Sequence, residues 1–214
     1  MTRTLFFIRH GQTEWNAQRR IQGQWESDLT ELGRAQAEQT ASAVASLGVD
    51  AIYASPLRRA RDAALALSKA AGLPAAFDDR LKEWSAGDWS GHLYTDVAER
   101  WPKEWAAWRN NTWIYRPPNA ENFEDLMRRG GAFLTDIAGL RKSSVAIVSH
   151  GFITRAMLTF LLSLSPEEGL RIETSNDVFF RLRQEATGWR AERCKAGAAP
   201  VSGLISGEEA SSLA

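Results

Sequence analysis

The sequence predicts an α/β fold, a three-layer α/β/α domain with a mostly parallel central sheet and helices on both faces. Two observations carry this expectation. Short apolar runs of strand length, Leu5-Phe6-Phe7-Ile8, Ala51-Ile52-Tyr53-Ala54 and Val145-Ala146-Ile147-Val148, alternate with longer segments of helical periodicity, and such alternation belongs to βαβ units. The first and third runs hold no polar residue to turn toward water, as strands buried on both faces require.

The elements follow in order. Leu5–Ile8 runs into Arg9-His10-Gly11 and a polar loop, Gln12 to Ser27. The next helix has Asp28 or Thr30 as its N-cap, small or apolar residues at Leu32, Ala35, Ala43, Val44 and Leu47, and Gly48 to end it. Ala51–Ala54 is the second strand. Ser55-Pro56 is then expected as N-cap and first-turn proline of a helix with Ala60, Ala63, Ala64, Leu67 and Ala71 on one face, stopping near Gly72-Leu73-Pro74. Ala75–Phe77 is a short third strand. A Trp-rich insertion, about 84–121, is expected to form a lid, with Trp101, Trp105 and Trp108 at helical spacing so that they pack on the domain.

Asn122 is placed to cap a helix reaching Leu140, and Val145–Val148 is the fourth strand, ending at Ser149-His150-Gly151. Phe152–Leu164 is helical. Ser165-Pro166-Glu167-Glu168 opens a short helix through a capping box. Val178–Arg183 and Trp189–Arg193 form a closing pair around Ala186-Thr187-Gly188, expected to be antiparallel at an edge. One domain is expected over 1–194, with an Ala/Gly/Ser-rich tail, 195–214, only loosely attached.

The 214 residues suffice for a single sizeable core, and the formal net charge of zero gives no long-range field toward nucleic acid or an anionic membrane. The lone Cys194 excludes an internal disulfide framework and fits a reducing compartment. No secretory leader is visible after Met1, and Phe152–Leu164 is too short to span a bilayer. The expectation is a cytoplasmic protein, monomeric or homodimeric, with a small-molecule partner.

The polar residues at the strand ends say what that partner is. In an open parallel sheet, sites collect beyond the carboxyl ends of the strands. The first strand delivers Arg9, His10 and Gly11, with Thr13 and Asn16 behind; the second delivers Ser55, Arg58 and Arg59; the fourth delivers His150 and Gly151. Two helix N-termini are expected to aim N–H groups at the same spot. Such a cationic pocket suits a phosphate dianion, whose oxygens match the guanidinium fork. A neutral imidazole is a competent nucleophile toward phosphorus, with its other nitrogen donating to a fixed acceptor, and Gly11 is expected to let phosphate approach the backbone. The second imidazole is expected to be protonated, stabilising the transferring group. A leaving alkoxide needs a proton. Glu83, between aromatic walls at Trp84 and Trp89, is the first candidate, with Glu14 and Glu121 as competitors.

Five ordered blocks resemble the histidine phosphatase superfamily, the phosphoglycerate mutase-like fold. They are Arg9-His10-Gly11-Gln12-Thr13-Glu14-Trp15-Asn16; Gln22-Gly23 with Asp28 to Ala37; Ser55-Pro56-Leu57-Arg58-Arg59-Ala60; Leu81-Lys82-Glu83 through Gly87-Asp88-Trp89-Ser90-Gly91; and Val148-Ser149-His150-Gly151. The resemblance implies a phosphohistidine on His10, a phosphate pocket of Arg9, Arg59 and His150 assisted by Asn16, Glu83 as general acid, and no metal or other cofactor. Arg59 rather than Arg58 takes the family's position because it directly precedes the alanine. Gly11, Thr13, Gln22, Gly23 and Gly151 fall to the phosphate-binding surroundings.

Departures from the family pattern bear on the substrate. Asp62-Ala63 replaces the usual Gln-Thr, and Asn119, Ala120 and Asn122 depart from the usual Gly-Gly-Glu-Ser. The mutase branch carries a longer insertion with an Arg-Arg pair, where this chain has Trp108-Arg109-Asn110-Asn111. The resemblance therefore implies hydrolysis of a small phosphorylated metabolite over mutase transfer. A catalytically silent phosphate-ester-binding module is the alternative from another class. The Trp rings have a second reading too, in which they line the pocket mouth and select an apolar or aromatic leaving group.

Overall fold

The computed structural model describes residues 3–204. Its centre is a seven-stranded mixed sheet in the order β3-β2-β4-β1-β5-β6-β7, where β1 is Thr4–Arg9, β2 Ala51–Ala54, β3 Ala75–Phe77, β4 Ser144–Ser149, β5 Val178–Glu185, β6 Gly188–Lys195 and β7 Val201–Ser202. β3, β2, β4 and β1 run parallel, and β5, β6 and β7 continue the sheet antiparallel.

Side-chain alternation along the strands divides the core in two. Phe6 and Ile8 of β1 face helices α2 (Glu31–Ser46) and α3 (Arg58–Ala71), through Ala37, Ala41 and Val44 of the first and Ala63, Ala64 and Leu67 of the second. Leu5 and Phe7 face α6 (Phe123–Ala138) and α7 (Gly151–Leu162), through Phe133, Leu134, Ile137, Ile153 and Met157. Small residues on α2 and α3 let that layer lie close on the sheet. The three-layer α/β/α expectation is met.

A short α1 (Glu14–Ala17) follows the first strand, α4 (Tyr94–Arg100) and α5 (Pro102–Asn110) occupy the Trp-rich insertion, and α8 (Pro166–Leu170) follows α7. Trp101, Trp105 and Trp108 are half-buried against the core, as a packed lid requires. Trp105 stacks on Trp108 with centroids 5.2 Å apart, and Trp108 on Trp84 at 6.1 Å. Among the described residues, no helix is long and apolar enough to cross a membrane.

Two local expectations are corrected. Ser55-Pro56 does not open α3, whose N-cap is Leu57 without a side-chain cap. Ser55 is drawn instead to the ring of His150, 2.7 Å from Nε2. The segment 195–204 is not loose: β7 pairs with β6 through Glu192↔Ser202 and Arg193↔Val201, and Leu204 is buried. Its small-residue composition argued against a core, but edge pairing needs only backbone. The remainder of the expected tail, 205–214, lies outside the described residues.

Candidate active site

Register brings the two histidines together. β1 and β4 are parallel neighbours with Arg9 opposite Ser149, so the next residue of each strand, His10 and His150, emerges on the same rim. The ring centroids are 5.1 Å apart at 62°. Both rings are buried. His10 Nδ1 lies 2.7 Å from the carbonyl oxygen of Gly11, which requires a proton on Nδ1 and leaves Nε2 as the free nitrogen.

Arg59 lies between the rings. Its Nε donates to His10 Nε2 and to His150 Nδ1, each at 3.2 Å, while its terminal nitrogens donate to Trp25 O at 2.8 Å and Gly23 O at 2.7 Å. Accepting from a guanidinium requires a lone pair, so both imidazoles are neutral. Burial, then the Arg59 and Arg9 charges, hold His10 well below its usual 6.5. Burial holds His150 low as well, followed by Arg59, His10 and Arg9. The expectation of a protonated His150 is therefore corrected for the free protein. The cause is a guanidinium seated where that proton would go. Burial also brings Arg59 down to about 10, which leaves it charged at neutral pH.

This arrangement fixes a pH dependence. Two groups whose folded pKa lies below the unfolded value take up protons on unfolding, so stability falls as pH drops below about 6.5. Each costs about 1.4 kcal/mol per pH unit over the range where the folded ring stays neutral. Urea melts between pH 7 and 5 are expected to lose up to about 4 kcal/mol, with a shallower slope in His150→Asn. A flat profile over that window would show that the rings are not held neutral.

Arg9 donates through its NH1 group to the Thr174 carbonyl, and its Nε is buried with no hydrogen-bond partner among the described residues. A Cβ at Gly151 would lie 3.0 Å from Thr174 Oγ1 and in ordinary contact, 3.5 Å, with the Arg9 guanidinium carbon. Gln22 Oε1 is also buried and unpartnered. Gly23 takes φ +52°, which turns its carbonyl loop around Arg59.

Both helix N-termini at the rim are already occupied by carboxylates, contrary to the expectation that they point at an anion. Arg58 N, at the start of α3, donates to Glu26 at 3.1 and 3.2 Å. Phe152 N donates to Glu83 Oε2 at 3.1 Å and Ile153 N to Oε1 at 3.1 Å, with Trp84 N adding a second donor to Oε1 at 3.0 Å. The α7 terminus thus orients Glu83 beside the pocket. Gln24 Nε2 at 2.9 Å and Arg129 NH2 at 3.0 Å hold its backbone carbonyl. The competitors are placed otherwise: Glu121 pairs with Arg129 at 2.9 Å and accepts from Ser85 N, and Glu14 is exposed.

Asn16 and Thr13 cap α1 reciprocally, Asn16 Oδ1 accepting from Thr13 N and Thr13 Oγ1 from Asn16 N, both at 3.1 Å. This holds the loop after His10 in shape. Gly11 has a different purpose from the one expected. A Cβ there would lie 1.9 Å from the Gly33 carbonyl oxygen, so the glycine lets the loop press on the first turn of α2. Arg58 forms a surface ion pair with Asp28 at 2.9 Å.

The departures near residue 120 preserve physical roles. Asn119 adopts φ +56°, where glycine or asparagine is tolerated, and Asn122 is the N-cap of α6.

Sequence reasoning missed four contributors. Ser55 was placed on the rim but as a cap. Asn176 Nδ2 donates to the carbonyl of His10 at 2.9 Å, Thr174 O receives Arg9, and Arg155 Nε donates to Ile172 O at 2.7 Å. The segment 172–176 carries no motif, and only its position before the antiparallel strand β5 hinted that it passes the rim.

The comparisons agree with this geometry. Residues 5–196 match the family model of the histidine phosphatase superfamily (branch 1). The glucosyl-3-phosphoglycerate phosphatase of Mycolicibacterium vanbaalenii is 36% identical over 170 residues, 76% of this chain and 75% of that protein. A Yersinia enterocolitica relative named "Probable phosphoglycerate mutase GpmB" is 35% identical over 192 residues, 87% of each chain. The solved structure of a mycobacterial glucosyl-3-phosphoglycerate phosphatase superposes with TM-score 0.81 at 29% identity, covering 92% of this chain and all of that one. The chain belongs to the histidine phosphatase superfamily and is a phosphoric monoester hydrolase of that family.

Proposed function

We propose that the protein hydrolyses a small phosphorylated metabolite, without a metal, through a phosphohistidine on His10. The observation that carries this is the His10 ring: Nδ1–H is tied to Gly11 O, and the unprotonated Nε2 accepts from Arg59 Nε, which also donates to the facing His150. The Nε2 lone pair attacks phosphorus, the N–P bond forms and the ester P–O bond breaks as Glu83 gives its proton to the leaving oxygen. Water then attacks phosphorus, Glu83 takes the water proton, and the N–P electrons return to the ring. Glu83 Oε2, with a single N–H donor, keeps a lone pair for that proton.

Arg9 Nε and the second hydrogens on the terminal nitrogens of Arg59 hold the equatorial oxygens, with Asn16 assisting. Ser55 serves either tautomer of His150, because a hydroxyl both donates and accepts. His150 therefore turns an N–H toward the phosphoryl group once Arg59 Nε engages the anion.

Hydrolysis is favoured over mutase transfer by the short 84–121 segment without an Arg-Arg pair. The test is a panel of phosphorylated metabolites with EDTA-treated protein. Phosphate release is expected from at least one ester, undiminished by EDTA. Isomerisation of 3-phosphoglycerate with a bisphosphoglycerate primer, faster than phosphate release, would favour the mutase reading. Tight binding of an ester that is never consumed would favour the silent binding module.

A further inference from the structure

The nucleophile has a brace that comes from the far end of the sequence. Residues 171–177 join α8 to β5 without helix or strand, yet they are tethered along their length. Ile172 and Thr174 are buried. Arg155 Nε, from α7, donates to Ile172 O at 2.7 Å. Glu173 pairs with Arg193 of β6 at 3.2 Å, and Asp177 with Lys195 of β6 at 2.6 Å. A segment anchored to a helix and to a strand is a rigid support, and rigid supports set the precision of a site.

Two groups of this segment reach the catalytic rim. Thr174 O accepts from Arg9, and Asn176 Nδ2 donates to the carbonyl of His10 at 2.9 Å. One short stretch of chain therefore sets Arg9, which holds the phosphoryl group, relative to His10, which attacks it. The bond to His10 falls at a sensitive place. Gly11 O holds the ring's Nδ1–H at 2.7 Å, and the carbonyl that Asn176 holds belongs to the peptide joining those two residues. A peptide group is planar, so fixing the His10 carbonyl orients the whole His10–Gly11 unit. Gly11 has no Cβ to restrict its backbone. Packing against Gly33 limits the glycine itself, and Asn176 limits the peptide before it. Together they keep in place the acceptor that aims Nε2 at phosphorus.

We propose that Asn176 is a positioning residue for the nucleophile: its amide, carried on the 171–177 brace, holds His10 in the orientation for in-line attack. This rests on the phosphohistidine reading above. A misplaced nucleophile slows its own attack whatever group leaves, whereas a misplaced acid slows only the esters that need a proton.

The test is the rate at which labelled phosphate appears on His10 after rapid quenching, measured with 4-nitrophenyl phosphate and with an alkyl ester that the wild type accepts. Asn176→Ala is expected to lower that rate by about 30-fold on both, within the cost of a small misplacement of reacting groups. Affinity for inorganic phosphate is expected to stay within about fivefold, the scale of one neutral hydrogen bond. Asn176→Asp, which keeps the size and removes the donor, is expected to lose at least as much. Asn176→Gln, which keeps the donor on a longer arm, is expected to recover part of the rate. An unchanged phosphorylation rate in both Asn176→Ala and Asn176→Asp, or an equal loss of rate and phosphate affinity, overturns the positioning role and leaves the phosphohistidine intact. Turnover by the wild type with no label on His10 defeats the phosphohistidine and the positioning role with it.

Discussion

His10→Ala is expected to lower kcat by at least about 10⁴-fold on every phosphate ester the wild type accepts, the scale of losing a nucleophile. The substitution removes the attacking nitrogen and leaves the anion site in place. Arg9 remains tied to Thr174 and Arg59 to Gly23 and Trp25, since none of those bonds passes through the imidazole. Affinity for inorganic phosphate, read by calorimetry, is therefore expected to survive within about tenfold, one charge-assisted contact or less. A variant that loses binding and turnover together would mean that His10 builds the pocket and does not attack. A variant that keeps its rate would place the nucleophile elsewhere.

Glu83→Gln is the second large effect, and the leaving group sets its size. The glutamine carbonyl still accepts the N–H groups that Glu83 Oε1 takes from Trp84 and Ile153, but the amide has no proton to give. Alkyl phosphates, which leave as strongly basic alkoxides, are expected to slow by about 10³-fold, within the range for positioned acids. An aryl phosphate such as 4-nitrophenyl phosphate departs without protonation and is expected to slow by about tenfold or less at the first step. Uniform loss across leaving groups would make Glu83 a support for the α7 N-terminus and not the acid. The backbone ties from Gln24 and Arg129 to the Glu83 carbonyl bear on the same point, because they fix the residue before any substrate arrives.

The sequence made the fold and the centre of the site legible for a local reason. Leu5–Ile8 and Val145–Val148 are uninterrupted apolar runs, and each ends in a His-Gly pair. Once both are placed in one parallel sheet, the polypeptide direction puts both histidines on the same rim, and their register as neighbours sets the distance. Arg9 and Arg59 were legible because they sit within a turn of a strand end.

What stayed hidden arises from tertiary contact without local pattern. The identical chemistry of Glu26 and Glu83, each capping a helix remote in sequence, cannot be read from either end. Nor can the bond from Asn176 to the His10 carbonyl, which spans most of the chain. The protonation states were misjudged for a related reason. A His beside an arginine suggests a shared anion, but in the free protein the arginine donates to the ring itself, and that contact needs a neutral imidazole. Gly11 was read as space for phosphate because it follows the histidine, whereas its neighbour in space is Gly33.

The purpose of the Trp-rich insertion divides along the same line. Its helical spacing announced a packed layer, and Trp84, Trp89, Trp105 and Trp108 do pack on one another. Tyr94, with no repeat to mark it, also comes near Arg9, Glu83 and Arg155.

The most direct test is to quench the wild type in denaturant at high pH within milliseconds of mixing with labelled substrate, digest it, and map the label. The account predicts base-stable, acid-labile phosphate on the peptide containing His10, attached at Nε2 and formed before phosphate appears in solution. Label on any other residue, or turnover with no labelled protein at any time, would contradict it.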